Sequence, residues 1–233
     1  MLGGAVGLVL GSLRLPAILV ASSNPAAAAG TNIAVSAAAA LAAGIEHARA
    51  GRVDWRIAAW MTPPSVVGAF LGGYFGGRIP SALLLAAISA ALAWNGTQLL
   101  FELGTPRPSG NPRAAAVLFG ALFGLIGGAV GLILGTLRMP ALLGSVGLRP
   151  ARAVGTNLVV GFFLGVAGFA GHAARLEVEW AVLGVSVAAA IPGAWLGVRL
   201  TGRLSERALK RLIGAALLVV AAAIAVEASR FGR

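Results

Sequence analysis

The 233-residue chain has no cysteine, two histidines, three methionines and only seven acidic residues. Without cysteine there is no disulfide, no thiolate nucleophile and no cysteine-ligated metal. Transition-metal permeases place carboxylates, histidines, cysteines or methionines within their spans, and the apolar stretches here offer almost none. Enzymatic chemistry needs a base, a nucleophile or a metal site. The sequence presents no catalytic constellation and no cofactor motif, so the expectation is a protein that is not an enzyme and carries no cofactor. Charge is scarce too: 11% of residues are charged, against about a quarter in a soluble domain. The apolar start has no basic segment before it and its counterpart recurs in mid-chain, which argues against a cleaved signal peptide.

What the sequence does hold is 58% hydrophobic residues, 34 glycines and a mean hydropathy of +0.91. Apolar segments run over 1–21, 27–45, 56–76, 81–101, 114–147, 153–171, 180–198 and 208–228, near the length a bilayer requires. Eighteen basic residues give a formal net charge of +11. They cluster between the apolar segments, so they are read as topology signals facing a lipid bilayer, not as a nucleic-acid footprint.

The segments form two copies of one unit. GGAVGLVLGSLRLPA at 3–17 returns as GGAVGLILGTLRMPA at 127–141, an offset of 124. Beyond one inserted residue the offset is 125: Gly30-Thr31-Asn32 matches Gly155-Thr156-Asn157, His47 matches His172, and Val53-Asp54-Trp55 matches Val178-Glu179-Trp180. The expected layout is a first repeat at 1–101, a Pro- and Gly-rich linker at 102–113 and a second repeat at 114–233, within one membrane domain. Only Met1-Leu2 precede the first GGAVG, whereas 114–126 precede the second. Either the first copy begins upstream of Met1 or its first element is shortened.

If all eight segments crossed, the inter-segment basic residues would divide eight against eight and set no orientation. If the first and fifth enter and leave by one face, the division becomes 12 inside against 4 outside, as the positive-inside rule favours. The predicted fold is therefore an all-α integral membrane protein of two four-element inverted repeats. Each repeat is a re-entrant broken-helix hairpin plus three transmembrane helices, the odd count of crossings inverting the halves. Gly11-Ser12-Leu13-Arg14-Leu15-Pro16 and Gly135-Thr136-Leu137-Arg138-Met139-Pro140 mark the breaks. Such backbone at membrane depth must face protein or a water-filled cavity.

Arg14 and Arg138 are the basic residues inside the predicted apolar layer. A guanidinium there costs roughly 2.5 kcal/mol or more, and neither hairpin contains a carboxylate. A mobile oxyanion matching the arginine fork is the candidate partner; the competing reading is that each arginine caps carbonyls of its own hairpin. Pro16 and Pro140 are expected to begin the second hairpin arms, whose free N–H groups attract negative charge. Ser12 and Thr136 offer hydroxyls to the same anion or bond back to their own helix. Thr31, Asn32, Thr156 and Asn157 open the second element of each half, either as helix caps or as ligand contacts. Trp55, Trp60 and Trp180 read as interfacial anchors. Gly68, Gly72, Gly76, Gly193 and Gly197 read as close helix contacts, and a proton-relay role for His47 and His172 is the less favoured reading of two span-end histidines.

In their order, and in two copies, these features resemble the sulfite exporter TauE/SafE family of bacterial and archaeal membrane permeases. They are Gly7 to Pro16 with Gly131 to Pro140, the two Gly-Thr-Asn motifs, and Val53-Asp54-Trp55 with Val178-Glu179-Trp180. The resemblance covers nearly the whole chain. Many members carry consecutive glycines where this chain has Ser12-Leu13-Arg14 and Thr136-Leu137-Arg138. The resemblance implies a multi-pass permease of a prokaryotic cell membrane that moves sulfite, sulfonates or related small anions. The paired arginines independently imply an anion. The expectation is a secondary transporter working by alternating access at a midplane site; the alternatives are a passive anion channel or a non-transporting scaffold subunit. The expected partners are a small inorganic or organic anion and lipid, with no nucleic acid; a homo-oligomer stays open, as do transport direction and coupling ion.

Overall fold

The computed structural model of the chain describes residues 14–101, 111–189 and 206–231. Among the described residues every regular element is helical: α1 (14–21), α2 (Pro25–Arg49), α3 (Trp55–Gly76), α4 (Ser81–Phe101), α5 (Pro112–Val130), α6 (Gly135–Pro140) running into a π-helical turn (Ala141–Ser145), α7 (Pro150–Ala173), α8 (Trp180–Ala189) and α9 (Glu206–Phe231). The starts follow local chemistry. Asn24, Asp54 and Asn111 each accept the N–H three residues on, and Pro25 and Pro112 stand first in their helices, where proline loses no ladder bond. Most of the expected first hairpin (1–13), residues 102–110 of the expected linker, and 190–205, with Gly193 and Gly197, lie outside the described residues.

Pro25–Arg49, Pro112–Val130 and Pro150–Ala173 are long and apolar enough to cross a membrane. Large apolar side chains stand exposed along several helices, among them Leu118, Leu122 and Leu125 of α5 and Phe163 and Val166 of α7. Water would penalise so much exposed apolar surface; lipid does not. The chain is an integral membrane protein, all-helical over the described residues.

Helix directions follow from which residues face one another. Gly30 meets His172, Gly165 meets Ala37, and Gly44 meets Leu158, so α2 and α7, the second elements of the two copies, pack antiparallel. α4 and α9, the last elements, do the same: Ser89 Oγ donates to the Ala221 carbonyl at 2.8 Å, and Gly96 lies against Gly214. By contrast α3 and α5 run parallel. A Cβ on Gly68 would lie 2.7 Å from the Ala121 carbonyl oxygen, one on Gly120 would lie 2.7 Å from that of Met61, and Gly72 abuts the Leu125 carbonyl. In a bilayer no hydrophobic force joins helices, so backbone approach at small residues is what holds them.

These directions fix the course of the chain between α5 and α7. Both helices run the same way, and Gly128 near the end of α5 faces Gly168 and His172 near the end of α7. Residues 131–149 must therefore travel back along the bundle. Gly131 ends α5 in a left-handed conformation (φ 74°) against Ala29, and Leu134 turns at φ 50° into α6. Leu142 and Val146 then return to Ile57, Ala58, Ala115 and Ala153 at the starting ends of α3, α5 and α7. That end of the bundle gathers Arg49, Arg52, Arg113, Arg149 and Arg152 from the helix ends and loops there, with Arg113 stacked over Trp60 at 5.3 Å. Arg78 and Arg175 lie at the other end, flanking Tyr74.

Two loops cross between the copies in matching fashion. Thr31 Oγ1 accepts the Glu179 N–H at 2.9 Å, and Thr156 Oγ1 accepts the Asp54 N–H at 2.9 Å. Gly30 is pressed against the Glu177 carbonyl and Gly155 against that of Arg52. Each Gly-Thr-Asn motif thus seats the loop that ends the opposite copy's helix.

Candidate functional site

Arg14 is the first described residue and lies in α1. Its Nε donates to Asn32 Oδ1 at 3.1 Å, and its Nη2 donates to Ser36 Oγ at 2.7 Å and to the Asn32 carbonyl at 3.5 Å. The guanidinium is only partly shielded and is largely satisfied. Asn32 in turn donates from Nδ2 to the Gly131 carbonyl at 2.8 Å, joining the first copy to the hairpin of the second. Ser36 was not among the sequence candidates. Its signal is spacing, since it follows Asn32 by one helical turn on the same face.

Arg138 differs. It is the largest fully buried side chain, 0% exposed. Its Nη2 donates to the Asn157 carbonyl at 3.4 Å, while Nε and Nη1 have no partner. Asn157 donates from Nδ2 to the Gly135 carbonyl at 2.7 Å, and its Oδ1 is likewise unpartnered. A buried guanidinium with two idle donors is expensive, and the described surroundings hold no carboxylate to offset it. Gly161 leaves the room: a Cβ there would lie 3.2 Å from Arg138 Nη2.

The two arginines do not converge on one point. Given the facing pairs of α2 and α7, the Asn157–Gly161 stretch that holds Arg138 lies about nine residues along α2 from the Asn32–Ser36 stretch that holds Arg14. That is roughly 13 Å at 1.5 Å per residue, too far for one small oxyanion to bridge. Each copy has its own arginine station.

Several expectations need correction. The Gly-Thr-Asn motifs do not open their helices, which begin five residues earlier at Pro25 and Pro150; α2 is capped by Asn24, and α7 has no side-chain cap. Thr31, which also donates to the Ala27 carbonyl at 2.8 Å, and Thr156 fasten loops and do not point to the arginines. Pro140 does not begin the second hairpin arm. That arm starts at Gly135, and Pro140 is its sixth residue, followed by the π-helical turn. Proline supplies no N–H to the turn before it, and the ladder widens there, with Val146 N–H reaching back to the Ala141 carbonyl at 2.9 Å. Pro16 likewise lies inside α1, two residues after Arg14. Thr136 lies on α6, and Ser12 is outside the described residues. An open depression of about 410 Å³, lined by Gly147, Leu148, Arg149 and Arg152, sits at the basic end of the bundle and not at either buried arginine.

Trp55 and Trp180 stand exposed at 61% and 65% at the starts of α3 and α8, as anchors do. His172 is wholly buried between Glu177 and the Gly128 carbonyl. Its repeat counterpart His47 is partly exposed.

Known proteins resemble the chain over most of its length. Residues 1–224 match the family model described as Sulfite exporter TauE/SafE. The chain is 30% identical to a probable membrane transporter protein of Xylella fastidiosa (strain 9a5c), over 96% of this chain and 92% of that protein. It is 23% identical to the probable membrane transporter protein YjnA of Bacillus subtilis (strain 168), over 93% of this chain and 91% of that one. No solved structure matches the chain. The family and its relatives' names indicate a transporter and not an enzyme, and the chain belongs to the sulfite exporter TauE/SafE family.

Proposed function

We propose that this membrane transporter carries a small oxyanion, of the size and charge of sulfite or a short sulfonate, across a prokaryotic plasma membrane. The observation that carries the reading is Arg138: a fully buried guanidinium with Nε and Nη1 both unpartnered. The edge that matches two oxygens of an oxyanion is Nε with Nη2; there Nε is free and Nη2 holds only its 3.4 Å bond to the Asn157 carbonyl, while Nη1 offers a separate donor. Arg14, in the equivalent position of the first copy, forms the second station.

The mechanism we propose is alternating access between two inverted halves. Its support is the antiparallel packing of repeat-related helices, α2 with α7 and α4 with α9, together with the crosswise threonine bonds. A dyad that reverses helix direction lies in the membrane plane. The parallel course of α5 and α7 supports a re-entrant hairpin over 112–149, and the gathering of Arg49, Arg52, Arg113, Arg149 and Arg152 at one end supports a cytoplasmic assignment for that end.

Counterflow in proteoliposomes tests the reading. Purified protein loaded inside with unlabelled sulfite should drive saturable uptake of labelled sulfite, with sulfonates competing and neutral analogues or cations not competing. Large unsaturable currents would replace the transporter with a channel. Saturable uptake of a metal cation that sulfite and sulfonates leave unchanged would overturn anion transport.

A further inference from the structure

His172 sits where four helices meet, in a space cleared by glycine. A Cβ on Gly30 of α2 would lie 2.7 Å from its Cβ, and one on Gly73 or Gly76 of α3 would come 3.2 Å from its Cδ2 or 3.1 Å from its Cε1. Its Nε2 lies 2.9 Å from the Gly128 carbonyl of α5, and its Nδ1 lies 3.1 Å from Glu177 Oε2. A carbonyl oxygen only accepts, so Nε2 carries a proton. One further proton must then lie between Nδ1 and Oε2, on the ring as imidazolium or on the carboxyl as acid, because otherwise two lone pairs face each other at 3.1 Å. Losing that proton breaks one contact: either the ring parts from Glu177, or its proton moves from Nε2 to Nδ1 and the Gly128 bond is lost.

The Gly128 contact leads to the first anion station. The Gly128 carbonyl also accepts the Gly131 N–H at 3.4 Å; the Gly131 carbonyl accepts from Asn32 Nδ2 at 2.8 Å; and Asn32 Oδ1 accepts from Arg14 Nε at 3.1 Å. Asn32 occupies the donor an anion would use. In the first copy the position matching Glu177 is Arg52, so His47 has no carboxylate in that place and the pair occurs once. The other ionisable groups at this end on the elements packed against the ring are Tyr74 and Arg78 from α3 and its following turn, and Arg175 and Glu179 from the loop after α7. Both arginines lie against Tyr74 and Glu179 accepts the Ser23 N–H; α2 and α5 meet the ring with glycine.

We infer that His172 and Glu177 form a proton-binding site coupled to the Arg14 station: proton release by the second route withdraws the ring from the Gly128 carbonyl, loosens the Gly131 turn fastened there, weakens the Asn32–Gly131 bond and so favours anion binding at Arg14, making the transporter an anion–proton exchanger. The inference rests on the anion reading. Linkage then requires anion affinity to rise with pH where the pair titrates, by up to about tenfold per pH unit for one proton released. Glu177→Gln removes the shared proton without removing the contacts, since the amide donates to Nδ1 and Nε2 still donates to Gly128.

The test uses the purified full chain with methanesulfonate, whose charge is constant over the range, as the probe. The expected result is affinity that rises with pH in the wild type and a flat profile, at the weak acid-side value, in Glu177→Gln. A flat wild-type profile, or the same slope in both proteins, overturns the coupling while leaving anion binding standing. If methanesulfonate and sulfate bind at no pH, the anion reading fails instead, and the coupling with it. The proton site itself has a separate readout: with only two histidines, isotope-labelled histidine in a His47→Gln background reports His172 alone. Its titration must change in Glu177→Gln, and an unchanged curve overturns proton sharing whatever the anion does.

Discussion

Replacing Arg138 by lysine, glutamine and methionine separates anion binding from hairpin fastening. The guanidinium is fully buried and only Nη2 is engaged, at 3.4 Å. A hydrogen bond to a charged group contributes about 1.5–3 kcal/mol, and an oxyanion on the Nε–Nη2 edge makes two. Arg138→Lys keeps the charge and loses the fork, so affinity should fall by about one such bond, roughly 10- to 150-fold. Arg138→Gln removes the charge and should weaken binding by about 2–5 kcal/mol, roughly 30- to several thousand-fold. Arg138→Met is the discriminating change. An unpaired buried cation destabilises the anion-free fold, and an apolar side chain of similar volume in place of buried ions is often neutral or stabilising by about 1–4 kcal/mol. The melting temperature without anion should therefore hold or rise, while stabilisation by anion, about 2.7 kcal/mol at a hundredfold excess over Kd in the wild type, disappears. If Arg138 only fastened the hairpin to Asn157, methionine would lower the anion-free melting temperature and leave the response to anion intact. The assay is thermal melting of purified protein across sulfite and sulfate titrations. Wild-type affinity in both the lysine and glutamine variants would refute the reasoning.

With no native cysteine, Gly51→Cys, Ala114→Cys and Ala151→Cys should react with an impermeant thiol reagent only from the cytoplasmic side, and Ile79→Cys and Ala174→Cys only from outside; external labelling of Ala151→Cys would contradict the re-entrant hairpin. Gly72→Ala should destabilise by about 1–3 kcal/mol, because its Cβ meets the Leu125 backbone carbonyl, whereas Gly44→Ala, whose nearest neighbours lie at 3.9 Å, should be tolerated or gain up to about 1 kcal/mol of helix propensity; equal melting temperatures would count against the α3–α5 contact. The Glu179 carboxyl is held below the ordinary carboxylate range by hydrogen bonds from Ser23. Its contribution to stability is therefore present above that ordinary range and lost as pH falls through the lowered value, so Glu179→Gln should flatten the acid limb of the melting profile; an unaltered limb would remove Glu179 from it.

Much of the fold is legible because each helix must satisfy its own backbone in lipid, and that demand writes itself as length and apolarity. The expected span 27–45 became Pro25–Arg49, and 56–76 became Trp55–Gly76. The break before Arg138 is legible from Gly131, Gly135 and Pro140, and the close contacts from Gly68 and Gly72. What the sequence hides is which residues meet. Thr31 and Thr156 look like caps or ligands until the loop of the other copy is seen resting on them. Ser36 is one small hydroxyl in an alanine-rich helix, and only the arrival of Arg14 gives it meaning. Glu177 lies five residues from His172, a spacing that one turn past a helix end converts into contact but that no helical period predicts.

The near-symmetry of the two arginine stations makes their differences informative. Arg14 and Arg138 occupy matching positions, as do Asn32 and Asn157, yet Asn32 donates across to Gly131 in the other copy's hairpin while Asn157 donates to Gly135 in its own. Asn32 Oδ1 is closed onto Arg14 Nε, and Asn157 Oδ1 stands open beside an Arg138 whose Nε is free. Near-identical local sequences thus hold two hydrogen-bond arrangements in one molecule, and Ser36, whose counterpart in the second copy is Gly161, gives Arg14 an acceptor that Arg138 lacks. On the proposed reading, an oxyanion arriving at Arg14 would displace Asn32 Oδ1, and the amide so released would no longer hold Gly131. In the alternating-access reading proposed above, occupancy of the Arg14 station would thereby loosen the hairpin that carries Arg138, as a site that opens on one side while it closes on the opposite one requires.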